Sequence, residues 1–153
     1  MNSFYNEMEY EVLADLMSAD VAFIVVGGAA VQHYRRVRVR KDLDILLKCS
    51  AENAAAAARA LKPRHQITPE IEAGFGSLNA QIKLSGHYNF IEFLTAIHSV
   101  TFEQAQRDIV LVTDHKLDKP IPILSKAHLI ASKRARGDPQ DIEDIAFLEG
   151  IRE

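Results

Sequence analysis

Two aspartates separated by one residue, Asp42-Leu43-Asp44, open an apolar run that continues through Ile45, Leu46 and Leu47. Residues i and i+2 of a strand point to the same face, so the two carboxylates stand side by side. Adjacent negative charges on an apolar strand repel each other and cost stability, and a bound divalent cation is the simplest compensation. Upstream, the apolar run Phe23 to Val26 ends in Gly27-Gly28, and helix-forming residues follow. A glycine turn that opens a helix lets the backbone approach a phosphate and offers it free N–H donors. Downstream, Glu92 lies in an otherwise apolar strand-like run, where an isolated charge is expensive to bury unless it is paired or metal-bound. If that strand lies beside the Asp44 strand, three carboxylates converge. Metal plus phosphate points to phosphoryl-transfer chemistry.

Each of these signals has a bland counterpart. An Asp-x-Asp at a strand end is commonly a solvated edge or a cap. One face of an antiparallel strand is often exposed, which would leave Glu92 in water. A glycine pair can be a tight turn and nothing more. The pair is followed by neither the Lys-Ser/Thr of a Walker loop nor the third glycine of a dinucleotide fingerprint.

The 153 residues suit one ordinary domain with a substantial core, and 48% apolar with 25% charged residues is a globular composition. A net charge of −3 excludes a global electrostatic case for nucleic acid, so such contact would need a local patch. The single cysteine, Cys49, excludes an intrachain disulfide framework and fits a reduced compartment; its reading is packing. The acidic start MNSFYNEMEYE is no signal peptide, and no apolar run approaches membrane-spanning length. A cytoplasmic protein with no membrane partner is expected.

Apolar periodicity predicts an amphipathic helix over Phe4 to Ala19, a buried strand over Val21 to Val26 and a short helix over Ala29 to Tyr34. A second strand follows over Asp42 to Leu47. Ser50 caps an alanine-rich helix to about Leu61, which Pro63 ends. Ile67 to Phe75 is ambiguous between a helical turn and an edge strand. Leu78 to Leu84 and Tyr88 to Leu94 alternate as strands around a Gly86-His87 turn, Phe102 to Ile109 suits a short helix, and Val110 to Thr113 and Ile121 to Leu124 are short strands. Ser125 caps a helix through Arg136, Gly137 stops it, and Pro139 opens a last helix over Gln140 to Glu149.

Spacing joins the weak signals. A strand, Gly27-Gly28, thirteen residues, then Asp42-Leu43-Asp44-Ile45 resembles the signature of the nucleotidyltransferase superfamily, the polymerase-β-like fold. That signature is a hydrophobic residue, Gly-Gly/Ser, a short gap and Asp-h-Asp/Glu-h, with a third acidic residue on a neighbouring strand; Glu92 stands at that place. VVGGAAVQHYRRVRVRKDLDILL is similar to small bacterial members, including those of abortive-infection and toxin–antitoxin loci. The tail ILSKAHLIASKRARGDPQDIEDIAFL also looks like theirs, with Lys133, Asp141 and Asp144 at recurring positions, so the likeness covers residues 20 to 149. The departures are Gly28 where many members have Ser, Tyr34 where relatives often have Gly, and Arg40 where they often have Thr. These surround the nucleotide and acceptor pocket.

The resemblance implies an α/β (α+β) fold with a mixed, mostly antiparallel sheet, helices on one side and a short C-terminal helical cap. It implies one domain over 1–153, with a core over 20–124 and C-terminal helices over 125–149. It implies an enzyme that moves an NMP from an NTP to an acceptor hydroxyl and releases pyrophosphate. Mg²⁺ or Mn²⁺ would sit on Asp42, Asp44 and Glu92, which are also the catalytic set. Gly27, Gly28, Arg40 and Lys133 would hold the nucleotide. The acceptor would be a small molecule such as an aminoglycoside or lincosamide, a protein, or a tRNA, and a cognate toxin or antitoxin is the partner such loci imply. A catalytically silent module acting through a partner protein is the alternative. Arg35, Arg36, Arg38, Arg40 and Lys41 offer a second alternative, a polynucleotide groove, against which stands a solvated segment balancing nearby aspartates. Lys133, Arg134 and Arg136 share one helix, and Lys133 either meets a phosphate or pairs with Asp141 or Asp144. His33 is read as packing, and the scattered histidines lack zinc-ligand spacing.

Overall fold

A computed structural model describes residues 5–85 and 90–150. The Gly86-His87 turn, the first two residues of the strand expected from Tyr88, and Phe4 lie outside the described residues. The element order is α1 (Glu7–Ser18), β1 (Phe23–Val26), α2 (Gly27–Tyr34), β2 (Leu43–Leu47), α3 (Ala51–Leu61), α4 (Pro69–Phe75), β3 (Gln81–Ser85), β4 (Phe90–Leu94), α5 (Phe102–Arg107), β5 (Val110–Val112), β6 (Ile121–Ile123), α6 (Lys126–Arg136) and α7 (Pro139–Gly150).

Local chemistry sets the helix ends. Asn6 and Glu9 form a reciprocal capping box at α1, and Thr101 and Gln104 do the same at α5. Ser50 and Ser125 accept from the backbone N–H groups of Asn53 and His128, as their sequence positions predict. The ambiguous stretch before Phe75 is a helix, because Thr68 caps it and Pro69 occupies its first turn. Gly137 ends α6 at φ +74°, a left-handed conformation that favours glycine. The glycine pair belongs to α2 and does not precede it, so that helix begins directly at the end of β1.

The six strands form one mixed sheet in the order β3-β4-β2-β1-β6-β5. β1–β2, β3–β4 and β5–β6 are antiparallel, and β1–β6 and β2–β4 are parallel. Leu43, Ile45 and Leu47 of β2 are fully buried on one face, together with Phe93 of β4. α4 covers that face, with the Phe75 ring edge-on to Phe93 at 5.4 Å. The C-terminal helices supply the cap expected from the sequence. Leu129 of α6 lines one cavity with Val26, Asp44 and Glu92, which places α6 over the opposite face of the sheet. Among the described residues, no helix is long and apolar enough to cross a membrane.

Two buried ionic clusters tie the periphery to this frame. Glu9 of α1 takes both terminal nitrogens of Arg40 at 2.9 Å, and Arg40 Nε donates to Gln32 on α2 at 3.0 Å. Arg38 reaches Asp144 of α7 in a two-pronged contact at 2.9 and 3.0 Å. The segment between α2 and β2 is therefore clasped from both ends of the chain. Glu9→Gln strands a buried guanidinium, and its expected cost is about 3 kcal/mol, read from urea denaturation. A loss within about 0.5 kcal/mol, the ordinary range for surface changes, would show that the clasp carries no weight.

Candidate active site

β2 and β4 run parallel with Asp44 opposite Glu92, and β1 places Val26 opposite Asp44 from the other side. The two acids thus occupy neighbouring positions on one face. The next residue after Val26 is Gly27, at φ +64°. A Cβ there would lie 2.2 Å from Asp44 Oδ2, so glycine is demanded both by the backbone and by the carboxylate pressed against it. Gly27 and Asp44 form one unit, although seventeen positions separate them in the chain.

Burial pushes the Asp44 carboxyl up to about 7, and repulsion from Glu92 and then Asp42 adds to this. Arg136 and Lys133 pull the other way. Glu92 accepts from Gln81 Nε2 at 2.7 Å, and Lys83 Nζ lies 3.7 Å from it. Asp42 stands just before β2, where its Oδ1 accepts the Phe90 N–H at 3.2 Å.

A cavity of about 440 Å³ opens between this face and α6. Gly27, Asp44 and Glu92 line it on the sheet side, Ser132, Lys133 and Arg136 on the helix side, and Asn79, Gln81 and His98 along the rim formed by the turns around β3 and β4. The cavity therefore lies between the Asp44–Glu92 face of the sheet and the C-terminal cap, and Asp42 is not in its lining.

Other sequence-selected residues lie elsewhere or are already engaged. Gly28 is outside the cavity lining, and a Cβ on it would meet Arg40 Cβ at 3.2 Å and Arg38 Nη1 at 3.4 Å. Its small size lets the arginine segment cross α2. Arg40 does not line the cavity, and its guanidinium grips Glu9. Lys133 lines it, with its ammonium 3.3 Å from Asp141 and 3.0 Å from Asp144. The pairing weighed for a helix surface is thus real, but it is buried. Asp141 and Asp144 have no exposed surface. Burial works against the Asp141 charge, but bonds from Arg136 and the Asp138 N–H, with Lys133 nearby, hold its carboxyl down at about 2.

Arg35, Arg38 and Arg40 of the basic stretch have partners within the protein. Arg35 lies over the Phe147 ring and 3.7 Å from Glu143, Arg38 holds Asp144, and Arg40 holds Glu9. His33 packs edge-on to Tyr34 at 5.0 Å, as its packing reading expects. Sequence reasoning missed Ser132, Arg136, Asn79 and Gln81 as cavity residues. For the first two, a signal existed: Leu129, Ser132 and Arg136 recur at helical spacing on one face of α6.

Asp44 and Glu92 offer oxygen-only donors, the chemistry that Mg²⁺ and Mn²⁺ prefer. Among the described residues, no three His, Cys, Asp or Glu side chains are gathered as a ready-made metal centre. Mg²⁺ commonly takes one or two carboxylates plus substrate phosphates, not an all-protein cage, and two side-by-side acids suit that mode.

No family model and no curated protein matches this chain. Solved structures do. A candidate nucleotidyltransferase from Thermotoga maritima superposes with a TM-score of 0.57 over 93% of this chain and 90% of its own, at 16% identity. The fold is nucleotidyltransferase-like. An antigenic nucleotidyltransferase-like protein from Paracoccidioides brasiliensis superposes with a TM-score of 0.54 over 95% of this chain and 77% of its own, at 15% identity. The nucleotidyltransferase-like frame is thus shared along most of the chain while the sequence has diverged.

Asp44 has a sign-definite effect on stability. The folded protein holds the Asp44 proton up to about pH 7, whereas the unfolded chain releases it near 3.8. The unfolded state binds fewer protons in that window, so stability falls as pH rises from about 4 to 7 and levels off above it. Asp44→Asn removes this loss. Its stability advantage over wild type should grow across the window to a few kcal/mol, at about 1.4 kcal/mol per pKa unit. Urea denaturation at pH 4.5, 6 and 8 reads it, and a constant difference would contradict the assigned burial and repulsion.

Proposed function

We propose that the protein is a metal-dependent nucleotidyltransferase. It would transfer an NMP from an NTP to an acceptor hydroxyl and release pyrophosphate. The observation that carries this reading is the in-register Asp44–Glu92 pair facing a cationic helix across a cavity, in a nucleotidyltransferase-like fold. One end of the cavity carries negative charge suited to a cation, and the other carries positive charge suited to phosphate.

Asp44 and Glu92 would hold Mg²⁺ or Mn²⁺, with Asp42 joining if its bond to the Phe90 N–H is exchanged. When bound, the ion supplies Lewis acidity and neutralises developing phosphate charge. The residues do the rest. Gly27 lets the Asp44 carboxylate lie against the start of α2, on the cavity wall where the triphosphate would arrive. The acceptor oxygen attacks the α-phosphorus, the bond to the β-phosphate oxygen breaks, and pyrophosphate leaves. Glu92 receives the hydroxyl proton, with Gln81 fixing the orientation of its carboxylate. Asp44 must lose its proton to hold a cation, so nucleotide binding in the presence of metal should strengthen as pH rises through about 7.

The acceptor belongs to the same proposal: a small molecule, a protein or a tRNA, with a cognate toxin or antitoxin as partner in a cytoplasmic, bacterial setting. A silent module working through a partner protein is favoured by one observation, that Arg40 and Lys133 are both committed to internal carboxylates.

Thermal shift with ATP, GTP, CTP and UTP, each with and without Mg²⁺, separates the two. A nucleotide at a hundred times its Kd stabilises the native state by about 2.7 kcal/mol. The shift should need Mg²⁺ and vanish in Asp44→Asn and in Glu92→Gln. If no nucleotide shifts the wild type at any pH from 6 to 8, the enzyme reading fails.

A further inference from the structure

Lys133 and Arg136 stand a helical turn apart on α6, and both line the cavity. They are not equivalent. Lys133 is 4% exposed, and its ammonium lies between the carboxylates of Asp141 and Asp144. Arg136 bonds Asp141 through Nε at 2.7 Å and Nη2 at 2.6 Å, with the exposed Asp138 carboxylate farther away at 3.6 Å. Its Nη1 makes no hydrogen bond among the described residues, and the side chain is 48% exposed.

The buried ionic cluster places three cations, Arg38, Lys133 and Arg136, against two carboxylates, Asp141 and Asp144. The exposed Asp138, 3.6 Å from Arg136 Nε, is a third carboxylate, so what sets Arg136 apart is its open Nη1 edge and not a surplus of charge. Of the three cations, Arg136 is the one that combines exposure, a free donor edge and a place on the cavity wall; Arg38 is spent on Asp144 and does not line it. Ser132 sits four residues earlier on α6, hence on the same face, and also lines the cavity. A guanidinium held on one edge by a carboxylate keeps its other edge fixed in direction, which suits a tetrahedral oxyanion better than a mobile ammonium does.

We infer that Arg136, aimed by Asp141 and assisted by the Ser132 hydroxyl, forms an anion subsite for the terminal phosphates of a nucleoside triphosphate and the pyrophosphate it becomes. Lys133 is the buried clamp that keeps Asp141 in place and touches no phosphate. The identity of the anion rests on the nucleotidyl-transfer reading; the existence of the subsite does not.

Inorganic tripolyphosphate without metal is the first probe, titrated calorimetrically into wild type, Arg136→Lys, Ser132→Ala and Arg134→Ala. Arg136→Lys keeps the charge on Asp141 and loses the directed donor edge, so the fold should hold, with melting temperature as the check. Arg134 lies on the same helix outside the cavity and bonds Glu149, so it reports diffuse attraction alone. Affinity should fall about tenfold in Arg136→Lys and severalfold in Ser132→Ala, and stay unchanged in Arg134→Ala. Wild type that binds no tripolyphosphate, Arg136→Lys that binds as wild type, or an equal loss in Arg134→Ala each overturns the subsite. Should Arg136→Lys fail to fold, Ser132→Ala decides by the same criterion. Arg136-dependent tripolyphosphate binding with no Mg²⁺–nucleotide binding would keep the subsite and sink the nucleotidyl reading. Mg²⁺–nucleotide binding untouched in Arg136→Lys would do the reverse.

Discussion

Burial of the Asp44 carboxyl against Glu92 is the constraint around which the site is built. The parallel pairing of β2 and β4 brings two acids onto one face, and neither can move away without breaking the sheet. The fold answers this repulsion in two ways. Gly27 gives the Asp44 carboxyl room by lacking a side chain, and α6 brings Arg136 and Lys133 within electrostatic reach. What remains uncompensated is a carboxyl that keeps its proton to about pH 7, a poise suited to exchanging that proton for a cation.

The cap is held by charge as much as by apolar contact. Leu129 and Leu148 are the buried aliphatic residues of α6 and α7, and between the helices lies the Lys133, Arg136, Asp141 and Asp144 cluster. Removing one partner from such a cluster leaves an uncompensated buried charge, so the geometry is strongly enforced even where its net contribution to stability is small. Arg38 extends the cluster to the segment before β2, while Arg40 ties that segment to α1. Arg38 and Arg40, two of the arginines that suggested a polynucleotide groove, fasten the chain ends to the segment before β2.

The elements and their caps were legible because they rest on near-neighbour chemistry. Asn53 is an instructive case: Ser50 caps its backbone N–H, a local contact, whereas its buried side chain bonds Ala22 on both backbone groups and Lys48, which no periodicity could reveal. Asp44 on the second strand, Asp42 just before it and the glycine pair upstream were readable as a spaced pattern. The work of the second glycine was not, since Gly28 yields to a crossing arginine segment and not to a ligand. Lys133 and Arg136 carry the same charge three positions apart, and nothing in their order said which was sealed between two aspartates and which was left to face the cavity.

By itself, the sequence determined most of the helices and strands, the place of Asp44 on the second strand, and the resemblance to a nucleotidyltransferase, while leaving the stretch before Phe75 open. Those follow from period-two and helical spacing, from caps that act over three or four residues, and from glycines with no substitute. Tertiary structure decided that Glu92 stands beside Asp44, that Arg40 and Arg38 are spent on Glu9 and Asp144, and that Arg136 keeps a free edge in the cavity. The first two are choices of neighbour across tens to more than a hundred residues, and the third depends on where the cap sets α6 against the sheet. An ionic side chain carries no mark of its partner in its own neighbourhood, and the choice is made by which strands pair and where the cap comes to rest.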